Sequence, residues 1–363
     1  MATTTLPKII SKEQLDKFCP SYQKVILELE KILEACEIKA AKQQRVKQPK
    51  AKKVEQWKKR INFIKEFANN YLMPGEYWLY LREAYEKANK HSREKYLKVN
   101  WKAYEHLFYD RKGGCLDDYE NYKAKRLALL KFDRTNLIKE GIYCGLETAF
   151  DISFPHRFIE ESFKGYQKQC KSSLSREVVQ KYQRMKDLYT RIKAAEARIC
   201  SVEEWFGLLC EAENHEFVCH NAEYRLGMNL ADKELWILYI NYLQKHDPQI
   251  MLQLLSKYCR VFLDDAEMKQ KYKEAVAKYG PVIVKWTNIF EFETAEEEND
   301  IWDFDFDTPK PEKKPPKPSL DKSLFKNFCK TYQNQTFCFK NPIVYIFLNM
   351  LLQKQCNVNG IHW

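Results

Sequence analysis

The stretch that most constrains this chain is residues 223–262, EYRLGMNLADKELWILYINYLQKHDPQIMLQLLSKYCRVF. From Trp236 the bulky apolar residues recur at Tyr239, Ile240 and Leu243, the i, i+3, i+4, i+7 spacing that lines one face of a helix. Asp232 is placed to cap that helix, and Asp247-Pro248 reads as the N-cap and first position of the next, where proline's missing N–H costs nothing. The second helix carries Met251, Leu255, Tyr258 and Phe262 on one stripe, so the pair is a helical hairpin with facing apolar sides. One hairpin cannot bury both of its faces. It therefore requires neighbours of its own kind, which predicts a stacked helical array.

The rest of the chain supplies such neighbours. Ser11 and Gln14 form a capping box, and a helix follows Pro20 with a stripe of Val25, Leu29, Ile32, Leu33 and Cys36. Trp57, Ile61, Ile64 and Phe67 share a face. Pro74-Gly75 breaks the chain before a helix with Trp78, Leu81 and Tyr85. Trp101, Tyr104, Leu107 and Phe108 repeat the arrangement of Trp236, Tyr239 and Tyr242. A long helix spans 175–198, and Ser201 with Glu204 forms a capping box ahead of Trp205, Leu208 and Leu209. Asp264 with Glu267 starts a further helix that Gly280-Pro281 stops, and the Trp286 stretch is expected to begin one more. With only 10 glycines in 363 residues and no sustained period-2 alternation, the fold class is all-α.

The organisation expected is an N-terminal helical segment (1–38), a basic linker or solvated helix (39–56), a helical array (57–292), an acidic-aromatic then Pro/Lys-rich linker (293–319) and a tail with a short amphipathic helix (320–363). The net charge of +11 is concentrated in residues 39–60, where ten Lys and Arg face only Glu55. Within that tract Lys50, Lys52 and Lys53 read as a nuclear-import signal, a phosphate contact, or a merely solvated face. In the acidic run, Ile301, Trp302, Phe304 and Phe306 form a candidate motif for laying aromatic rings into a partner's groove. Its alternatives are folding back on the basic tract and a solubilising linker. No stretch reaches the roughly 18 apolar residues of a membrane span.

Trp57, Trp101, Trp205, Trp236 and Trp286 each mark a helix with aromatic or aliphatic residues three and six or seven positions on. This pattern resembles the half-a-TPR (HAT) repeat, whose first helix carries W-x-x-Y and whose second carries a tyrosine and an arginine. The match is clearest from Tyr224-Arg225-Leu226 through Trp236 to Tyr239, and it covers about residues 55–292. Tryptophan spacings of 44, 104, 31 and 50 residues, by subtraction, are uneven against the ~34 of TPR-like repeats. The resemblance implies an α-solenoid of HAT/TPR-like antiparallel hairpins in which Trp57, Trp101, Tyr104, Trp205, Tyr224, Arg225, Trp236, Tyr239, Tyr242 and Trp286 are packing residues. It further implies a non-enzymatic scaffold in a nuclear RNA-processing complex (pre-mRNA splicing, 3′-end or rRNA processing), with other protein subunits as partners and homodimerisation through the repeats within the family's range. Two alternatives stand beside it: RNA binding through residues 39–60, and a helical-repeat adaptor unrelated to RNA.

Catalytic signatures are not found in the sequence. A phosphate loop, an H-E-x-x-H pair and a C-x-x-C pair are all missing, so no cofactor is expected. The one Cys/His cluster, Cys210, His215, Cys219 and His220, does not have an established zinc spacing, and no metal is expected there.

Overall fold

A computed structural model describes residues 9–44, 50–88, 99, 102–103, 105–106, 130, 149–170 and 172–295. Among these the chain is all-α, with eleven α-helices. The first four are α1 (Lys12–Leu15), α2 (Pro20–Gln44), α3 (Lys50–Asn70) and α4 (Gly75–Ala88). After a 3-10 turn at Phe150–Ile152 come α5 (Ile159–Gln169), α6 (Arg176–Ala197), α7 (Val202–Cys210), α8 (His215–Met228), α9 (Lys233–His246), α10 (Pro248–Tyr258) and α11 (Ala266–Tyr279). Two strands of two residues each, β1 (Ile283–Val284) and β2 (Thr294–Ala295), pair in parallel with Ile283 opposite Thr294.

Local chemistry explains the helix boundaries. Ser11 and Gln14 make both halves of their capping box, and Ser175, Ser201, Asn214, Asp232 and Asp247 each accept a backbone N–H in the first turn of the helix they precede. At α11 the cap is Asp265, which accepts from Met268 N at 3.0 Å, and not the expected Asp264. Asp264 instead reaches back to the start of α2, where it accepts from Ser21 N at 3.0 Å. Adjacent carboxylates at a helix start point apart, so one can cap while the other forms a tertiary contact. Gly280 ends α11 with φ 106°, in a region open in practice only to glycine.

The N-terminal core is a three-helix layer in which Tyr22, Ile26, Ile61, Ile64, Tyr77 and Leu81 are fully buried. Its α2 stripe is Tyr22, Ile26, Leu29 and Leu33, one step around the helix from the expected stripe, and Ile32 is 40% exposed. The shift follows from Tyr22, whose ring packs against Phe67 while its hydroxyl donates to the Leu72 carbonyl. In α9, Trp236, Tyr239, Ile240 and Leu243 are all buried, as the periodicity requires, and in α10 so are Met251, Leu255 and Tyr258. Each such large apolar side chain contributes about 1.5–3 kcal/mol relative to exposure.

Order along the chain is not order in space. Cys19 Sγ lies 3.4 Å from the Val261 carbonyl, Leu72 N donates to Arg260 O at 3.4 Å, and Thr287 N donates to Asn69 O at 2.9 Å. The ends of α2 and α3 therefore sit against the segment around α10 and β1.

Trp286 lies outside any helix, in irregular chain after β1. The cause is local: Pro281 is followed by Val282, Ile283 and Val284, three β-branched residues that favour extended backbone, and they alternate between buried and exposed positions. No helix among the described residues is long and apolar enough to cross a membrane.

Candidate interaction surface

Two consecutive helix pairs, α7–α8 and α9–α10, share one arrangement of side chains. Ser201 caps α7 and Asp232 caps α9, and in each case a buried tryptophan follows four residues later. Arg225 of α8 lies over the Trp205 ring at 4.5 Å and pairs with Asp232 at 3.8 Å. Tyr258 of α10 packs edge-on to Trp236, with centroids 5.9 Å apart, and donates to Asp265 at 2.7 Å. In both pairs the second helix covers the tryptophan of the first and holds the cap of the helix that comes next. The caps Ser201, Asp232 and Asp265 are spaced 31 and 33 residues apart by subtraction.

Beside Trp205 the surface opens into a groove of about 550 Å³, lined among others by Ile199, Cys200, Tyr224, Arg225 and Met228. Ile199 is its most unusual feature. Cys200 N donates to Ala195 O at 3.2 Å and Ile199 N to Glu196 O at 3.3 Å, the paired bonds of a Schellman closure at the end of α6. The residue after the cap in that motif takes a left-handed conformation and is usually glycine. Here it is a β-branched isoleucine with φ 55°, and it is 92% exposed. The side chain is strained and buries almost nothing in the chain itself.

The other residues singled out in the sequence are dispersed. Trp57 is half-buried on α3, with Arg60 at 4.3 Å and Lys87 at 4.9 Å from its ring. Tyr239 is buried and donates to Glu223 at 3.0 Å. Burial first, and then the Glu223 charge, hold its hydroxyl well above its ordinary pKa. Tyr242 is not in the core; it stacks between His215 and His246 at 5.7 and 4.3 Å on the surface of α8 and α9. Lys50, Lys52 and Lys53 occupy the first turn of α3, and Lys53 is exposed. Trp101, Tyr104, Ile301, Trp302, Phe304 and Phe306 lie outside the described residues.

In the Cys/His cluster, Cys219 Sγ is 3.5 Å from His215 Nε2. Burial raises the Cys219 thiol to about 12 and the Cys210 thiol to about 11, so both are protonated and weakly nucleophilic near neutral pH. Among the described residues no group of three or more His, Cys, Asp or Glu side chains could hold a metal ion.

The sequence pattern did not point to two features: Ile199, which nothing in A-R-I-C-S marks as left-handed, and the ion pair of Arg260 with Glu293. Glu293 stands in an acidic run, and no local pattern separates it from its neighbours. No protein-family model matches the chain, and no curated protein matches it either.

Proposed function

We propose that the protein is a non-enzymatic, HAT-like helical scaffold that binds other protein subunits of a nuclear RNA-processing complex through the α6–α8 surface. The observation that carries the binding role is Ile199. A strained, fully exposed apolar residue at the lip of a groove is costly in the isolated chain, and burial against a partner recovers that cost. The HAT-like reading is supported by the common arrangement of Trp205, Arg225 and Asp232 with Trp236, Tyr258 and Asp265. RNA processing follows from the resemblance of the tryptophan pattern to that family.

Affinity purification of the full chain from its source cells, with mass spectrometry of the co-purifying proteins, tests the proposal. Subunits of one RNA-processing particle are expected, and Ile199→Asp should shed at least one of them. A chain that purifies alone, or an unchanged set with Ile199→Asp, overturns it.

A second reading, RNA contact through residues 39–60, is favoured by how the tract folds. Lys39 and Lys42 fall in the last turns of α2, and Lys50, Lys52 and Lys53 in the first turn of α3. Because α2 and α3 pack as a hairpin, these positions gather at one end of the pair. Neutralising Z phosphates of a single strand gives a log–log salt slope of about −0.7Z. RNA binding that is steep in salt, and lost when Lys50, Lys52 and Lys53 become Gln, supports this reading; salt-independent binding removes it.

A further inference from the structure

A second cavity, of about 430 Å³, lies where the end of α3, Lys102, Glu105 and His106, α8, α10 and β1 come together. Six charged or titratable side chains face it: Lys102, Glu105, His106, Glu223, Lys257 and Lys285. Cations outnumber carboxylates, and the carboxylates are engaged. Glu105 bridges Lys102 at 3.0 Å and Lys285 at 3.2 Å, and Glu223 accepts from Tyr239 at 3.0 Å. Lys257 is left over. Among the described residues its ammonium group has no hydrogen bond and no ion pair within reach, although Glu223 and Glu105 attract it from farther off.

His106 senses the same excess of positive charge. It is wedged edge-on between Trp78 and Trp286, with centroids at 4.8 and 5.0 Å, and its Nδ1 accepts from Met73 N at 3.4 Å. Burial first, then the charges of Lys257 and Lys102, hold it well below its ordinary pKa, so it is neutral. Burial likewise lowers the Lys257 amine, and the distant glutamates offset this only in part. Lys257 is half-buried at the cavity wall, and Gln253, Ser256 and Ile250 beside it offer its cation no counter-charge.

We propose that this cavity binds a small free anion carrying a phosphate or carboxylate group, with Lys257 as its main counter-charge and Lys102 and Lys285 flanking it. The volume falls in the roughly 300–1,000 Å³ range of small-molecule sites and is too small for a polyanion to be swallowed whole. The bound anion would join the stretch around Lys102, α10 and the chain just after β1, and so would brace that three-way contact. This site does not depend on the scaffold reading.

The test uses the full chain with inorganic phosphate and with citrate, against chloride at matched ionic strength, followed by calorimetry and thermal unfolding. Phosphate or citrate should bind and raise the melting temperature, and Lys257→Gln should weaken binding at least about tenfold. Amine acylation of the wild-type chain, read by peptide mass spectrometry, covers the case in which that variant misfolds. Saturating anion should then cut Lys257 labelling about fivefold or more while exposed Lys271 is unaffected. The proposal is overturned by no binding of either anion, by equal binding to a folded Lys257→Gln chain, by unprotected Lys257, or by binding of heparin alone.

Discussion

Arg260 and Glu293 form a fork-to-fork ion pair in the interior, with Nη1 3.0 Å from Oε1 and Nη2 2.7 Å from Oε2. Both side chains are essentially inaccessible, at 1% and 0% exposure. The remaining capacity of each is used. Arg260 donates to the Ser256 carbonyl and hydroxyl and to Asn288, while Glu293 accepts from Ser256, Tyr272 and Phe290 N. Arg260 also stands over the Trp286 and Phe290 rings, at 4.9 and 4.7 Å. The pair thereby fastens the non-helical chain of 281–295 onto α10.

Removing one partner strands the other. Glu293→Gln keeps the shape but leaves a buried guanidinium without its counter-charge, and about 3–5 kcal/mol of stability should be lost. Urea unfolding of the two proteins at neutral pH measures this, and a loss under about 1 kcal/mol would mean that water reaches the pair.

The same pair sets an acid limit on stability. Burial alone would raise the Glu293 carboxyl, but the hydrogen bonds and charge of Arg260, with the bonds from Phe290 and Ser256, outweigh it and hold the group below its ordinary value. A carboxyl depressed in the folded state stabilises fully above its unfolded pKa of about 4.3, and that stability is lost as pH falls through the folded value. The wild-type urea midpoint should fall on acidification below pH 5, and the gap to Glu293→Gln should narrow. A constant gap down to pH 3 would contradict the assignment.

Ile199 should be worse for stability than a residue that tolerates its backbone. A left-handed conformation costs an ordinary side chain about 1–2 kcal/mol, and asparagine much less. Ile199→Asn should therefore stabilise the isolated chain by about 0.5–1 kcal/mol while weakening partner capture. If the variant is instead less stable, the isoleucine side chain packs within the chain and is not free for a partner.

The three caps of the shared arrangement differ in what else they hold. Ser201 accepts only the Glu204 N–H in its cap, at 3.1 Å, whereas Asp265 caps Met268 and also meets Tyr258 and Lys233 at 2.7 Å each. Ser201→Ala should cost about 1 kcal/mol, and Asp265→Ala about 2 kcal/mol or more, because the Tyr258 hydroxyl loses its acceptor as well. Thermal unfolding of the two variants checks the order.

What was legible in the sequence, and what was not, divides along physical lines. Helix periodicity and capping depend on neighbours within a turn or two, so α9, α10 and the caps at Ser11, Ser201 and Asp232 could be read directly. The α2 stripe was displaced because Tyr22 found its acceptor 50 residues away at Leu72. Asp264 left its helix for Ser21, and Glu293 left its acidic run for Arg260, contacts that no local pattern encodes. Trp286 is non-helical because the β-branched run Val282–Val284 sets extended backbone ahead of it, and the aromatic spacing does not outweigh that run.

Gly280 separates backbone strain from packing. With φ 106° and ψ −179° it occupies a region that is essentially glycine-only, yet a Cβ built there would meet nothing within 4 Å. Gly280→Ala therefore introduces no clash, and its whole effect must come from the backbone, about 1–3 kcal/mol of destabilisation. The turn aims the chain from α11 into Pro281 and on to β1, where Thr294 N donates to Val282 O at 3.0 Å. If the strain is relieved by moving that chain, amides around 282–294 should lose hydrogen-exchange protection together with the drop in melting temperature. Unchanged protection beside a lowered melting temperature would instead mean that the turn holds its shape and the strain is borne locally.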